Sequence, residues 1–328
     1  MALGVAVVGL GWWGRIIVPL LRTSEKFRVV AGVEVGAAPD LGVPIEKDFE
    51  KVLANPAVDA VVLCTPHTLH AEQIIRAARA KKHVFCEKPL SLTRADVVRA
   101  VEACNESKVA LAVGHEKRFE PPIQEVFRAA KAGELGALLQ IEANFSQDKF
   151  LSLASDNWRL SGNEAPAGPL TATGIHLLDL SVGLMGRAAR VFASVKQLGS
   201  QLVNGDTLGV LVSFEKSGNA LLSAVLATPF DGRFAVYGSK GWMEVRDKAH
   251  PEAPQGWVLT KNLRGKEKET RTYEPAKAVL ANLEAFADAV AGRAPYPVPQ
   301  EEMIANVAAL EAIVRSARSG KVEEVQDR

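Results

Sequence analysis

An apolar run, Val5-Ala6-Val7-Val8, breaks directly into Gly9-Leu10-Gly11-Trp12-Trp13-Gly14, and no other stretch constrains the chain as strongly. The run reads as a buried strand, and Ile16, Ile17, Leu20 and Leu21 follow at helical spacing, so the glycines occupy the turn of a strand-turn-helix unit. That is the setting in which G-x-G-x-x-G binds a dinucleotide. Gly9 permits the tight turn, Gly11 lets backbone approach a pyrophosphate, Gly14 lets helix pack on strand, and the helix N-terminus offers N–H donors to the phosphates. Trp12 and Trp13, inside the motif, count with the glycines as candidate cofactor contacts. By itself the motif is also what a glycine-rich turn of any α/β protein would show. Glu34 tips the balance: it ends the second apolar run, Arg28 to Val33, twenty positions after Gly14, at the spacing of an acceptor for a ribose 2′-hydroxyl. A carboxylate there repels a 2′-phosphate and Val35-Gly36 supply no cation, so the expected cofactor is NAD in preference to NADP.

Downstream, Ala60 to Thr65, Val84 to Cys86 and Val109 to Val113 are apolar without alternation, and they are separated by helical patterns at His70 to Ala80 and Arg94 to Cys104. Such alternation specifies βαβ units in a doubly wound parallel sheet, with ligands at the carboxyl ends of the strands. Two polar motifs stand at those ends: Thr65-Pro66-His67-Thr68-Leu69-His70 and Glu87-Lys88-Pro89.

At these residues the chain resembles the glucose-fructose oxidoreductase, inositol 2-dehydrogenase and rhizopine-catabolism (Gfo/Idh/MocA) family, over essentially its whole length. The resemblance implies that Thr65, Pro66 and His70 belong to the cofactor site. It also implies that Glu87 contacts the nicotinamide ribose, that Lys88 reaches substrate, and that the Lys88-Pro89 bond is cis. On residue pattern alone Lys88 could equally be a solvated strand-end charge. Gly114-His115-Glu116-Lys117-Arg118-Phe119 resembles the family's turn into its second domain, which places the expected boundary between residues 1–118 and 119–328. His115 either lines the cleft or is a satisfied structural histidine, and it is not counted as catalytic.

The second half opens with a helix from Pro121 to Ala132 and a strand from Leu138 to Ser146. A long Gly/Pro/Asn-rich loop, Phe150 to Pro169, then carries Trp158-Arg159. Loops of that length are usually functional; Trp158 and Arg159 make a candidate wall for nicotinamide or substrate, with a core anchor as the alternative role for Trp158. Gly174-Ile175-His176-Leu177-Leu178-Asp179 starts the next helix. On pattern His176 reads as a helix-face histidine, whereas the resemblance makes it the catalytic acid/base. Strands at Val191–Gln197, Thr207–Glu215, Ala220–Thr228, Phe234–Val245 and Trp257–Asn262, punctuated by turn signals, predict an open, mainly antiparallel sheet in an α+β domain, closed by helices at Lys277–Ala291 and Glu301–Ser319.

Bulk properties exclude several classes. With 328 residues, 39 basic against 38 acidic side chains and a net charge of +1, nothing favours nucleic acid or a membrane surface. No apolar run is long enough to span a bilayer, and Met1-Ala2-Leu3 leads straight into the first strand without a signal peptide, so a cytoplasmic protein is expected. Cys64, Cys86 and Cys104 suit neither a disulfide framework nor a metal site and read as reduced, mostly buried thiols.

The expected function is therefore NAD-dependent hydride transfer to or from a secondary alcohol of a small hydroxylated substrate: a sugar, cyclitol, sugar acid or dihydrodiol. His176 would be the proton donor/acceptor and Lys88 the electrostatic stabiliser. Two rivals remain open on sequence: an NAD-dependent glycosidase using transient oxidation, and a non-enzymatic dinucleotide sensor. Many relatives have an aspartate where Ala172 stands, four residues before His176, so the site is expected to accept a substrate with its own anion, unless Thr171 or Thr173 bonds a hydroxyl instead. Ala220 to Ala227 is apolar on both alternating faces, which predicts a homodimer or homotetramer formed through the second sheet.

Overall fold

The computed structural model describes residues 2–38 and 40–326, so Met1, part of the expected entry into the first strand, lies outside the described residues. The chain divides into two compact units: Met1–Glu116 with Val279–Met303, and Lys117–Ala278 with Ile304–Arg328.

In chain order the first unit contains β1 (Leu3–Val8), α1 (Trp12–Leu21), β2 (Phe27–Val33), β3 (Ile45–Glu46), α2 (Phe49–Ala54), β4 (Ala60–Leu63), α3 (His70–Arg79), β5 (His83–Cys86), α4 (Arg94–Ser107) and β6 (Leu111–Val113). The six strands form one parallel sheet in the order β3-β2-β1-β4-β5-β6. This is the doubly wound arrangement, whose strand order reverses between β1 and β4, directly behind the glycine turn. All four residues of β4 are buried, as a strand covered by helices on both faces requires.

The second unit follows with α5 (Pro121–Lys131), β7 (Leu138–Ser146), a π-helical turn at Leu170–Gly174, α6 (Ile175–Met185), β8 (Ala188–Lys196), β9 (Thr207–Phe214), β10 (Asn219–Val225), β11 (Asp231–Gly238), β12 (Gly241–Asp247), β13 (Trp257–Leu263) and β14 (Glu269–Tyr273). After these come α7 (Ala278–Val290), α8 (Gln300–Ser319) and β15 (Glu323–Glu324). Nine strands pair in the order β14-β13-β12-β11-β7-β10-β9-β8-β15, antiparallel except for β7 with β10. Against the sheet lies α6, nine of whose eleven residues are buried. A helix buried on nearly all sides has no solvent face for its polar residues, so His176, Asp179 and Ser181 must be satisfied internally.

The division differs from the expected 1–118 and 119–328 in two respects: the break falls after Glu116, and residues 279–303 group with the first sheet. Leu283, Phe286 and Ala287 of α7 join its core, with Phe286 edge-on to Phe85 at 5.9 Å. On the edge strand β6, the Asn282 amide and the Tyr296 hydroxyl donate to the Val113 carbonyl at 3.0 and 2.8 Å. Main-chain groups that a sheet edge would leave open are thereby met by side chains, a long-range requirement that no local pattern signals. The expected loop between Phe150 and Pro169 also contains two short 3₁₀ turns, Lys149–Ser152 and Trp158–Leu160. Among the described residues no helix is long and apolar enough to cross a membrane.

The loop joining β8 to β9 is fixed by one carboxylate. Asp206, fully buried, accepts from the Leu198 and Gly199 N–H groups and from the Ser200 and Thr207 hydroxyls, at 2.8–3.1 Å. Burial works to raise its pKa, but the Leu198 N–H, the Ser200 hydroxyl and the other donors outweigh it and bring the group from 3.8 to about 2. A carboxyl whose pKa is depressed by folding contributes stability that is present above the unfolded value and is lost as pH falls through the folded one. Asp206→Asn should therefore cost about 1–3 kcal/mol at neutral pH, the usual cost of misdirecting buried donors. The difference from wild type in urea midpoint should close between about pH 4 and about pH 2.

Candidate active site

In the first unit the site grows from the glycine turn. Gly9 holds φ +88°, and a Cβ there would lie 2.8 Å from the Cys64 carbonyl oxygen; a Cβ on Gly14 would lie 2.1 Å from the Gly9 oxygen. Both glycines are thus demanded by the protein itself. Gly11 is not: its φ is −68° and a Cβ would meet nothing within 4 Å. The space beside it opens at the N-terminus of α1, which has no side-chain cap and no acidic residue in its first turn, so N–H donors and dipole face it uncancelled. These features fit a pyrophosphate. Glu34 is pinned alongside, its carboxylate accepting from the Leu10 N–H at 2.8 Å and the Gly36 N–H at 3.2 Å. Trp12 is half-buried at the turn.

The T-P-x-x-x-H and E-K-P segments are cross-linked by His70, which is fully buried, with Nδ1 2.8 Å from the Pro89 carbonyl and Nε2 3.0 Å from the Thr65 carbonyl. His70, expected among the cofactor contacts, ties the two loops together through both ring nitrogens. Thr65 bonds Gln73 at 2.5 Å, Pro66 is half-buried beside it, and the Lys88-Pro89 peptide is cis.

Glu87 is a strongly perturbed carboxyl of this unit. Its side chain occupies the space a Cβ on Gly114 would need, 2.6 Å from Oε2, so the glycine after β6 makes room for it. Burial, reinforced by the neighbouring Glu116 carboxylate, raises its pKa from 4.5 to about 8 against the opposing pull of Lys88 and Trp13. The Trp13 indole N–H is buried and aimed toward this carboxylate, short of a formed hydrogen bond.

In the second unit His176 sits in the first turn of α6, 4% exposed, its ring 5.9 Å from that of Phe145 at the end of β7. The Thr173 hydroxyl, in the π-helical turn, donates to the Phe145 carbonyl at 2.8 Å and so ties β7 to the start of the helix. Thr171 likewise donates to a backbone carbonyl, that of Gly168, at 3.3 Å. Asp179 of the G-x-H-x-x-D run is bound side-on by Arg118, at 2.7 and 3.0 Å. A Cβ on Gly183 would stand 2.2 Å from that guanidinium. The aspartate therefore locks α6 to the segment after residue 116.

Sequence reasoning missed a buried cation: Lys117, 4% exposed, reaches Asp247 at 2.9 Å and Glu120 at 3.2 Å and lies 5.0 Å over the Phe145 ring. Burial opposes its charge, but Asp247 and Glu120 prevail and hold its pKa well above the usual lysine value. Glu120, three residues on, was a readable local signal; Asp247, 130 residues away, was not. Also unanticipated is His250, 5.8 Å from both Phe145 and Phe230, with Nδ1 2.8 Å from the Lys149 ammonium, itself paired with Glu252 at 2.8 Å. Trp158 and Arg159 are half-buried and stacked on each other, the guanidinium 4.3 Å from the ring, so Trp158 is not a core anchor.

Comparison with known proteins places both halves of the chain in one family. Residues 3–115 match the profile described as "Oxidoreductase family, NAD-binding Rossmann fold", and residues 123–244 match "GFO/IDH/MocA C-terminal domain". Myo-inositol 2-dehydrogenase of Thermotoga maritima is 33% identical over 253 residues, 72% of this chain and 73% of its own. The chain belongs to the Gfo/Idh/MocA family. D-xylose 1-dehydrogenase (NADP(+)) 2 of Haloferax volcanii is 27% identical over 98% of both chains. The crystal structure of aldose-aldose oxidoreductase from Caulobacter crescentus, 26% identical, superposes with a TM-score of 0.85 over 99% of this chain and 100% of its own. The protein is accordingly an NAD(P)-dependent oxidoreductase acting on CH–OH groups.

The Glu87 environment has a direct consequence. Because folding raises this carboxyl's pKa, the stability it contributes is full below about pH 4.5 and is lost as pH rises through about 8. Unliganded Glu87→Gln, which cannot ionise, should melt at a higher temperature than wild type above about pH 8 and show no such gain near about pH 4.

Proposed function

We propose that the enzyme uses NAD to oxidise a secondary alcohol, or reduce the matching ketone, of a small neutral polyhydroxylated substrate of the sugar or cyclitol class. The observation that carries the cofactor choice is Glu34: two backbone N–H groups hold its carboxylate in place, so a 2′-phosphate would meet a fixed negative charge while a 2′-hydroxyl would meet an acceptor. When bound, the nicotinamide supplies the redox chemistry. Gly11 and the α1 N-terminus would hold its pyrophosphate, and Glu87, kept protonated near neutral pH, would offer a hydrogen-bond donor to the ribose. His176 takes up or returns the proton of the reacting hydroxyl, and the Lys88 ammonium stabilises the developing alkoxide.

The anionic substrate expected from Ala172 would turn on Lys88 and Arg159, and the cations around Phe145 add nothing to it. Lys117 and Lys149 there are matched by Asp247, Glu120 and Glu252, which leaves no surplus positive charge among these groups. The Thr171 and Thr173 hydroxyls point to backbone carbonyls, so the neutral reading does not depend on their replacing the aspartate.

Steady-state assays following NADH over a panel of sugars, cyclitols and sugar acids test this reading. Neutral polyols should be the best substrates, with NADH released at each turnover, and calorimetry should show NAD binding more tightly than NADP. Lys88→Ala and His176→Ala should each lower kcat by ~10² or more with NAD affinity nearly unchanged. Equal or better NADP affinity, or wild-type turnover in either variant, would contradict the assignment.

Self-association is proposed through the outer face of the second sheet. Phe192, Leu211 and Leu221 lie in register across β8, β9 and β10 and are 40–45% exposed. On the neighbouring strands Arg233 bonds both Glu142 and Glu244, so the face carries both signs of charge beside its apolar row. Such a patch is self-complementary about a two-fold axis. Sedimentation of the wild type at micromolar concentration should show a dimer or larger, and Leu211→Glu should shift it toward monomer.

A further inference from the structure

A cavity of about 350 Å³ lies wholly within the second unit, within the size range of small-molecule sites. Four separate segments form its walls, one of them the stretch of Gly162, Pro166 and Ala167. From α8 come Val314, Ala317 and Arg318, which share one helical face; from the end of β8 come Val195, Lys196 and Gln197; and Val203, Asn204 and Gly205 close it from the loop before β9.

These walls are pinned. The Asp206 carboxylate organises the loop from Leu198 onward, and the Asn204 amide donates to the Arg159 and Ala165 carbonyls at 2.8 and 2.9 Å, holding the segment that contributes Pro166 and Ala167. Gly205 holds φ +96°, and a Cβ there would lie 2.4 Å from Val195, so only glycine closes this corner. Ala167 holds φ +52°, a strained conformation for a residue with a side chain, of the kind that persists where the surroundings enforce it.

The lining has a consistent chemistry. Half-buried Val195, Val314 and Ala317 make its apolar lining, and Val203, 76% exposed, stands at its mouth. Its only charges are Lys196 and Arg318, and no carboxylate lines it. Neither cation forms an ion pair or side-chain hydrogen bond with the described residues. The contrast with Lys117 and Lys149, each matched by carboxylates, is plain.

We propose that this cavity is a second ligand site, taking a small organic anion with an apolar body, a carboxylate or phosphate monoester whose head group meets Lys196 and Arg318 while its body covers the valines. An anionic head between two cations gains charge-assisted hydrogen bonds, and the apolar body gains by leaving water.

Calorimetric titration of the full-length protein saturated with NAD, so that the dinucleotide phosphate site is filled, tests this with phenyl phosphate as probe. Benzoate, inorganic phosphate and benzyl alcohol serve as comparisons. Phenyl phosphate should bind one per chain, with benzoate weaker and with inorganic phosphate and benzyl alcohol each weaker by about tenfold or more, since each lacks half of the recognised chemistry. The double variant Lys196→Met/Arg318→Met should lose at least about tenfold in phenyl phosphate affinity with its KM for NAD unchanged. Val203→Asp, which sets a carboxylate at the mouth, should abolish binding. No detectable binding of phenyl phosphate, equal affinity in the double variant, or inorganic phosphate binding as tightly as phenyl phosphate would each overturn the assignment.

Discussion

The first unit depends on one close approach of backbone to backbone. With the Gly9 carbonyl oxygen 2.1 Å from where a Cβ on residue 14 would stand, α1 can begin where it does only because residue 14 has no side chain. From that contact follow the position of the helix N-terminus, the open space beside Gly11 and the reach of Glu34 back to the Leu10 N–H. The reversal of strand order between β1 and β4 places Thr65 and its neighbours at the same end of the sheet as Glu34, Glu87 and Gly114. Recognition of the dinucleotide is thus a property of backbone placement, with side chains added at the strand ends.

The second unit is governed by burial of polar groups. Since α6 is enclosed almost entirely, its three polar residues are affordable only with internal partners. Arg118 supplies Asp179 with a side-on pair, Ser181 donates to the Leu177 carbonyl at 2.7 Å, and the His176 ring packs at a 40° tilt 5.9 Å from Phe145, its buried Nδ1 without a hydrogen bond to the described residues. The π-helical turn that precedes α6 is a feature often found at functional positions; here it lets Thr173 reach across to β7 immediately before the histidine. The aspartate of the G-x-H-x-x-D run is therefore a lock that fastens α6 to Arg118.

Charge is managed differently in different parts of the second unit. Around Phe145, Lys117 and Lys149 are held by carboxylates. At the α8 cavity, Lys196 and Arg318 face an apolar lining without compensation. The two regions thus differ in net charge, a difference that composition does not reveal.

The glycine fingerprint, the Glu34 spacing, the alternation of strands and helices and the strand-end motifs were all legible in the sequence, because each rests on residues close in the chain and on local conformational rules. The mainly antiparallel second sheet was legible for the same reason, through its alternating burial and turn signals. What lay beyond the sequence were pairings between distant residues: Phe286 and Tyr296 serving the first sheet, Asp247 meeting Lys117, Arg118 meeting Asp179, and His70 turning both ring nitrogens onto backbone. Ala172 illustrates the limit most clearly. The sequence registered the missing carboxylate, but that Lys117 and Lys149 near Phe145 are paired with Glu120, Asp247 and Glu252 at 2.8–3.2 Å is a matter of tertiary structure, because Asp247 and Glu252 lie more than a hundred residues from their lysines.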